Sequence, residues 1–288
     1  MAENSKSQTW LDQLDSVKLV ENEKVKDQFV ETYAKIHKVP LEDGEVIYNK
    51  EAIYFKQAVG ASDKLRSCTR ISLYSAFLEI AIQGLSIQPG AKSQAYLEAR
   101  GIKVGDGYIN TCFLRITAYG ELDLRIMSGQ ILRMLNPIVV YEGDQFQPRT
   151  NPQGEIYVEY SAAIPRKTKK IIGCWVRIVL PGNLSDFKWL LEDDIARLKK
   201  YSIPRYGDNR NANVLYASEN GGIDPGFLEA KTIKHAMRAY TKLRVGDNVA
   251  FEEEDAEEQV ADKTSFAAPT SEPKEEAKPI VTNPDEPF

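Results

Sequence analysis

The chain is poor in the groups that bind metals or carry out covalent chemistry. Its 288 residues contain two histidines, His37 and His235, and no Cys/His pair has the spacing of a zinc site. The cysteines Cys68, Cys112 and Cys174 are far apart and odd in number. This excludes a disulfide framework and points to a reducing, cytoplasmic setting. No apolar run is long enough to span a bilayer. Met1–Trp10 is polar and lacks the basic-then-apolar order of a secretory signal. There is no GxxxxGK[ST] phosphate loop, so ATP-driven strand exchange is not supported. No Ser, Cys or His constellation with triad spacing is visible, and no repeat of solenoid length. The expectation is a protein that is not an enzyme and takes no metal or cofactor.

What the chain does have is an uneven distribution of charge. The formal net charge is −5. Residues 251–288 hold 12 acidic and 3 basic groups, leaving 30 acidic and 34 basic in residues 1–250, a net of +4. The body is therefore mildly basic and suited to a polyanion, and the acidity sits in the tail. Rich in Glu, Pro, Ala, Lys and Thr, that tail cannot bury enough apolar surface to offset its chain entropy and is expected to be disordered.

Between the ends, helical and strand periodicities mix. Val25, Phe29, Tyr33 and Ile36 predict a helix over residues 23–36, and Ile71, Tyr74, Leu78 and Ala81 another over 70–84, stopped at Gly84. Ala95–Arg100 and Tyr108–Ile116 read as strands around the turn Gly101–Gly107. A helix over Ala118–Ser128 ends at Gly129, and Pro137 keeps Ile131–Tyr141 extended. Alternation in Ile156–Ile164 and Ile171–Leu180 predicts a hairpin. A helix over Asp186–Lys200, a polar loop over 202–226 and a last helix over Phe227–Leu243 complete the pattern, with Gly246 as a possible cap.

The last helix carries the functional argument. At 100° per residue, Lys231, Lys234, Arg238 and Lys242 fall within an arc of about 80°. Phe227 and His235 flank them, and Ile233, Ala236, Met237 and Tyr240 lie opposite. No Asp or Glu interleaves with the stripe to form i,i+4 ion pairs, so its self-repulsion is uncompensated. A row of cations rising about 4.5–6 Å per step suits the phosphates of an extended strand. A solvated amphipathic face is the alternative. Lys199, Lys200, Arg205 and Arg210 could extend a groove, and Tyr206 could stack on a base. Arg115 and Arg125 lie among apolar neighbours. Each needs an anionic partner, which could be a protein carboxylate or a DNA phosphate. Arg166, Lys167, Lys169 and Lys170 read as a solvated hairpin tip. Glu192, Asp193 and Asp194 could suggest a nuclease metal site, but their adjacency fits the first turn of a helix better.

Ser75-Ala76-Phe77 through Gly84-Leu85, then Pro89 and Ala95-Tyr96-Leu97, resembles the RecT/Redβ family of phage single-strand DNA annealing proteins. So do Gly120, Asp123, Leu124, Ser128-Gly129-Gln130-Ile131 and the run Tyr141-Glu142-Gly143-Asp144-Gln145-Phe146. The basic helix Glu229–Leu243 sits where the family has its late Lys/Arg-rich helix, with Lys231 and Arg238 at basic positions. The resemblance implies an α+β fold, a small antiparallel β-sheet backed by helices. It implies ATP-independent binding and annealing of single-stranded DNA in recombination, by a homo-oligomeric ring or filament in the bacterial host cytoplasm. The implied partners are single-stranded DNA, the annealed duplex intermediate, a partner exonuclease and the host single-strand binding protein pathway, with no membrane. The domain expectation is an N-terminal helical region with oligomer contacts over 1–60, an annealing core over 61–246 and a disordered acidic tail over 247–288. The alternatives are a single-strand binding protein that does not anneal, a metal-dependent nuclease and a self-assembling structural protein. The closing Asp285-Glu286-Pro287-Phe288 is similar to the acidic tip of bacterial single-strand binding proteins.

Overall fold

The computed structural model describes residues 10–203, 213–218, 222–241, 246 and 249–251. The N-terminal half is built from α1 (Glu23–His37), α2 (Leu41–Ala61), the short α3 (Asp63–Arg66) and α4 (Arg70–Gln83), followed by the strands β1 (Ala95–Val104) and β2 (Gly107–Ile116). Local chemistry sets the ends. The Asn22 side chain accepts from the Lys24 N–H at the start of α1, and the Thr69 hydroxyl accepts from the Ser72 N–H at the start of α4. Gly84 closes α4 at φ 67°, a left-handed conformation that costs a glycine little.

These elements share one core. Phe29, Phe55 and Phe77 are fully buried. Phe77 lies at the centre, with ring centroids 4.8 Å from Phe29, 5.1 Å from Phe55 and 6.0 Å from Tyr48. Ala95 and Leu97 of β1 and Cys112, Leu114 and Ile116 of β2 close the core from the sheet side. The helices of residues 1–60 thus pack against the strands beyond residue 61. The 21-residue α2 is a finding of the structure, since its sequence suggests only general helical character.

The C-terminal half begins with α5 (Ala118–Met127), followed by β3 (Arg133–Met134), β4 (Ile138–Tyr141), β5 (Gln145–Thr150), β6 (Ile156–Ser161), β7 (Ile171–Val179) and β8 (Ser185–Leu191). Then come α6 (Glu192–Tyr201), α7 (Pro225–Met237) and β9 (Val249–Phe251). β7 is the central strand of the second sheet. Along one edge it pairs antiparallel with β3 and β4, and along the other with β8. One face of this sheet packs on α5 and α7 through Val176, Ile178, Ile233, Ala236 and Met237. The opposite face carries Trp175 and Phe187 beneath Phe146, Val158 and Tyr160 of the β5–β6 hairpin. The protein is therefore α+β, with small antiparallel sheets backed by helices. The exception is β9, which runs parallel to β2 and pairs Leu114 with Val249. The chain is still part of a sheet beyond residue 247, and residues 252–288, the expected tail, lie outside the described residues.

Two expectations are corrected. The predicted hairpin of Ile156–Ile164 with Ile171–Leu180 does not form: β6 pairs with β5, and β7 pairs with β3, β4 and β8. Alternation specifies which face a strand buries and leaves its partner open. The predicted helix over Asp186–Lys200 is a strand up to Leu191 and a helix only from Glu192. Pairing with β7, which sets Trp189 opposite Trp175, overrides the weak helical pattern of that segment.

Candidate nucleic-acid interface

The last helix starts two residues earlier than expected and ends six earlier. Pro225 occupies its first turn, where a missing N–H costs nothing, and the Asp224 carboxylate accepts from the Phe227 N–H at 2.8 Å. Ile233, Ala236 and Met237 are buried, as the wheel expects, and Leu228, which the wheel does not place on that face, is buried as well in a separate apolar cluster. The chain turns after Met237, so Arg238 is the C-cap. Lys242 lies outside the described residues.

The expected stripe is only partly exposed. Lys231 is half-buried with its ammonium 5.2 Å from the Phe227 ring centroid, and Arg238 is exposed. Lys234 is 5% exposed. On the wheel it sits about 60° from Met237, so it stands on the border of the apolar face and packs inward with it. The expectation that Lys234 lines an outward row is corrected accordingly.

The structure brings further cations to this end of α7. On the same face of β8 as Leu190, Lys188 pairs with Asp186 at 3.0 Å, and the Tyr240 hydroxyl donates to Asp186 at 3.0 Å. Arg197 of α6 pairs with Asp194 at 3.3 Å. Burial lowers the pKa of His235, and Arg238, Arg197 and Lys188 lower it further against the opposing pull of Asp194. Lys188 and Arg197 escaped the sequence reading because their segment was read as one continuous helix. Lys199 and Lys200 are exposed on the last turn of α6, where they complement the helix dipole. Arg205, Tyr206 and Arg210 lie outside the described residues.

Arg115 and Arg125 turn inward. Arg115, 3% exposed, donates from Nε to the Glu98 carboxylate. Arg125, 2% exposed, donates from Nη1 to the Glu121 carbonyl at 3.0 Å and pairs with the Glu121 carboxylate at 3.2 Å. Burial lowers the Arg125 pKa against the opposing effect of Glu121. Of the two kinds of partner open to these arginines, each has a protein carboxylate, Glu98 for Arg115 and Glu121 for Arg125.

The acidic cluster also has structural roles. Asp194 accepts from the Leu191 N–H at 3.1 Å, and Glu192 pairs with Lys170 at 2.9 Å. Among the described residues no group of three or more His, Cys, Asp or Glu side chains could hold a metal ion.

The segment expected to be a solvated hairpin tip instead connects β6 to β7, which belong to different sheets. The Arg166 guanidinium lies 3.9 Å from the Tyr141 ring centroid and 3.9 Å from the Asp144 carboxylate. Asp144, fully shielded, accepts from the Tyr141 N–H at 3.0 Å, the Ala163 N–H at 2.8 Å and the Tyr160 hydroxyl at 3.0 Å. Burial pushes its pKa up, but these hydrogen bonds and Arg166 outweigh it and hold the carboxyl below its ordinary value. A depressed folded-state pKa means that the ionised group stabilises the fold at neutral pH. That contribution is present above the unfolded value of about 3.9 and fades as the pH falls through the folded one. Asp144→Ala is expected to lower stability by about 1–3 kcal/mol at pH 7, because two backbone N–H groups lose their acceptor. Denaturant unfolding at pH 7 and near pH 3 should show the gap narrowing in acid.

A fold of this class, α+β with helices behind small antiparallel sheets, agrees with the family expectation. The RecT family model matches residues 54–267, most of the chain, and the protein belongs to the RecT family. Among curated proteins nothing matches. Membership places the chain in single-stranded DNA annealing in recombination, and the family's annealing is ATP-independent. No helix among the described residues is long and apolar enough to cross a membrane.

Proposed function

We propose that this protein anneals complementary single strands as a homo-oligomer, a ring or filament on DNA, receiving its substrate from a partner exonuclease and working within the host single-strand binding protein pathway. One strand lies along the exposed end of α7, with Lys231 and Arg238 on its phosphates and Lys199, Lys200 and the neighbouring Arg197 extending the path. Lys242, Arg205 and Arg210 belong to the same proposal from sequence alone. Charge cancellation with counterion release supplies affinity without sequence preference. The bases remain open to a second strand, so pairing decides which duplex forms. The family match over residues 54–267 carries this reading.

The test is annealing of complementary oligonucleotides, followed across a salt series. A plain single-strand binding protein would bind both strands and not accelerate pairing. For Lys231→Ala/Arg238→Ala, two lost phosphate contacts should flatten the slope of log affinity against log salt by about 1.4 in magnitude. Annealing should slow in parallel. An unchanged slope together with an unchanged annealing rate would remove α7 from the interface.

A further inference from the structure

The connection between β6 and β7 encloses a pocket of about 500 Å3 against the start of α7. Its walls include Tyr141, Arg166, Lys167, Lys169, Ile171 and Pro225. Arg166 lies over the Tyr141 ring, with the shielded Asp144 beside it. The guanidinium is thereby held in place before any ligand arrives.

The neighbouring cations divide into two kinds. Lys170 is engaged by Glu192 at 2.9 Å and by Glu142 at 3.6 Å. Lys167 and Lys169 are exposed, and among the described residues neither has a carboxylate within ion-pair distance. The pocket therefore offers an apolar wall from Tyr141, Ile171 and Pro225, one planar cation and two unneutralised ammonium groups. A ligand matching all three is flat and weakly polar at one end and anionic at the other. A nucleotide has that shape and charge, and arginine planes stack on bases as aromatic rings do.

We propose that this pocket is a subsite for one unstacked nucleotide of the bound strand, with its base on the outer face of the Arg166 guanidinium and its phosphate between Lys167 and Lys169. The assignment rests on the single-strand reading above. Pro225 and Lys231 are six residues apart on α7, about 9 Å along its axis, so one strand can reach both. A base held here is withdrawn from stacking with its neighbours and interrupts the stack at a fixed place in each subunit's footprint.

The full-length chain is tested by fluorescence anisotropy on two labelled polymers of equal length, oligothymidine and an abasic sugar-phosphate chain. The wild type should bind oligothymidine more tightly. Arg166→Lys keeps the charge and loses the plane. It should weaken oligothymidine binding about tenfold and leave the abasic polymer unaffected. Tyr141→Leu, which keeps an apolar wall but removes the ring beneath Arg166, should act in the same direction. Lys167→Ala/Lys169→Ala should weaken both polymers.

The subsite is overturned if Arg166→Lys and Tyr141→Leu leave both affinities unchanged. It is equally overturned if they lower the two by the same factor, because the effect is then charge or fold and not base stacking. Competition at this pocket by an acidic peptide but not by oligothymidine would assign it to a protein partner and overturn it too. Annealing by the wild type with a silent Arg166 would sink only the subsite. A wild type that binds neither polymer would sink the functional reading with it.

Discussion

Phe77→Ala is expected to cost about 3–5 kcal/mol of folding stability, the range for removing a large aromatic side chain from a packed core. Phe77 has no exposure to solvent, and its ring meets Phe29 of α1 and Tyr48 and Phe55 of α2, all three buried themselves. Three helices would thus border the cavity. Denaturant unfolding should give a lower midpoint with an unchanged slope. The tryptophans locate the damage, because Trp10 stands against Tyr74 at the edge of this core while Trp175 and Trp189 belong to the second sheet. A cost below about 1.5 kcal/mol would mean that the site collapses and that Phe77 does not anchor the three helices.

Glu121→Ala should have an effect of similar size for a different reason. It takes the carboxylate away from Arg125, which is almost fully buried and whose Nε has no hydrogen-bond partner among the described residues. Breaking a buried pair from one side typically costs about 3–5 kcal/mol, whereas replacing both members with apolar residues of similar volume is often close to neutral. Glu121→Leu/Arg125→Met is therefore expected to recover most of the stability lost in Glu121→Ala. The same double variant decides a functional question. If Arg125 serves only the fold, single-strand affinity measured on folded protein stays at the wild-type level. A large loss of affinity in a stable double variant would return Arg125 to the DNA.

Much of the candidate site depends on contacts that no local pattern encodes. The wheel on α7 correctly separates Ile233, Ala236 and Met237 from Lys231 and Arg238, because helical spacing alone divides those faces. It places Lys234 outward, and the structure packs it inward. A border position 60° from Met237 on the wheel can go either way, and the neighbouring elements that decide its burial are distant in sequence. Arg115 shows the same limit: its apolar surroundings call for an anion, and only the fold brings Glu98 across the β1–β2 hairpin. Arg125 differs, because Glu121 stands four residues before it on the same helix.

By itself the sequence determined the glycine stop at Gly84, the alternating faces of the strands and the family. Each of these is written within a few residues or in an ordered set of short motifs. Tertiary structure alone decided that β7 pairs with β3, β4 and β8, that β8 is a strand, and that Arg166 lies on Tyr141. Periodicity says which side of an element must leave water. Which distant element covers that side is settled by the loops that can close and the surfaces that then fit.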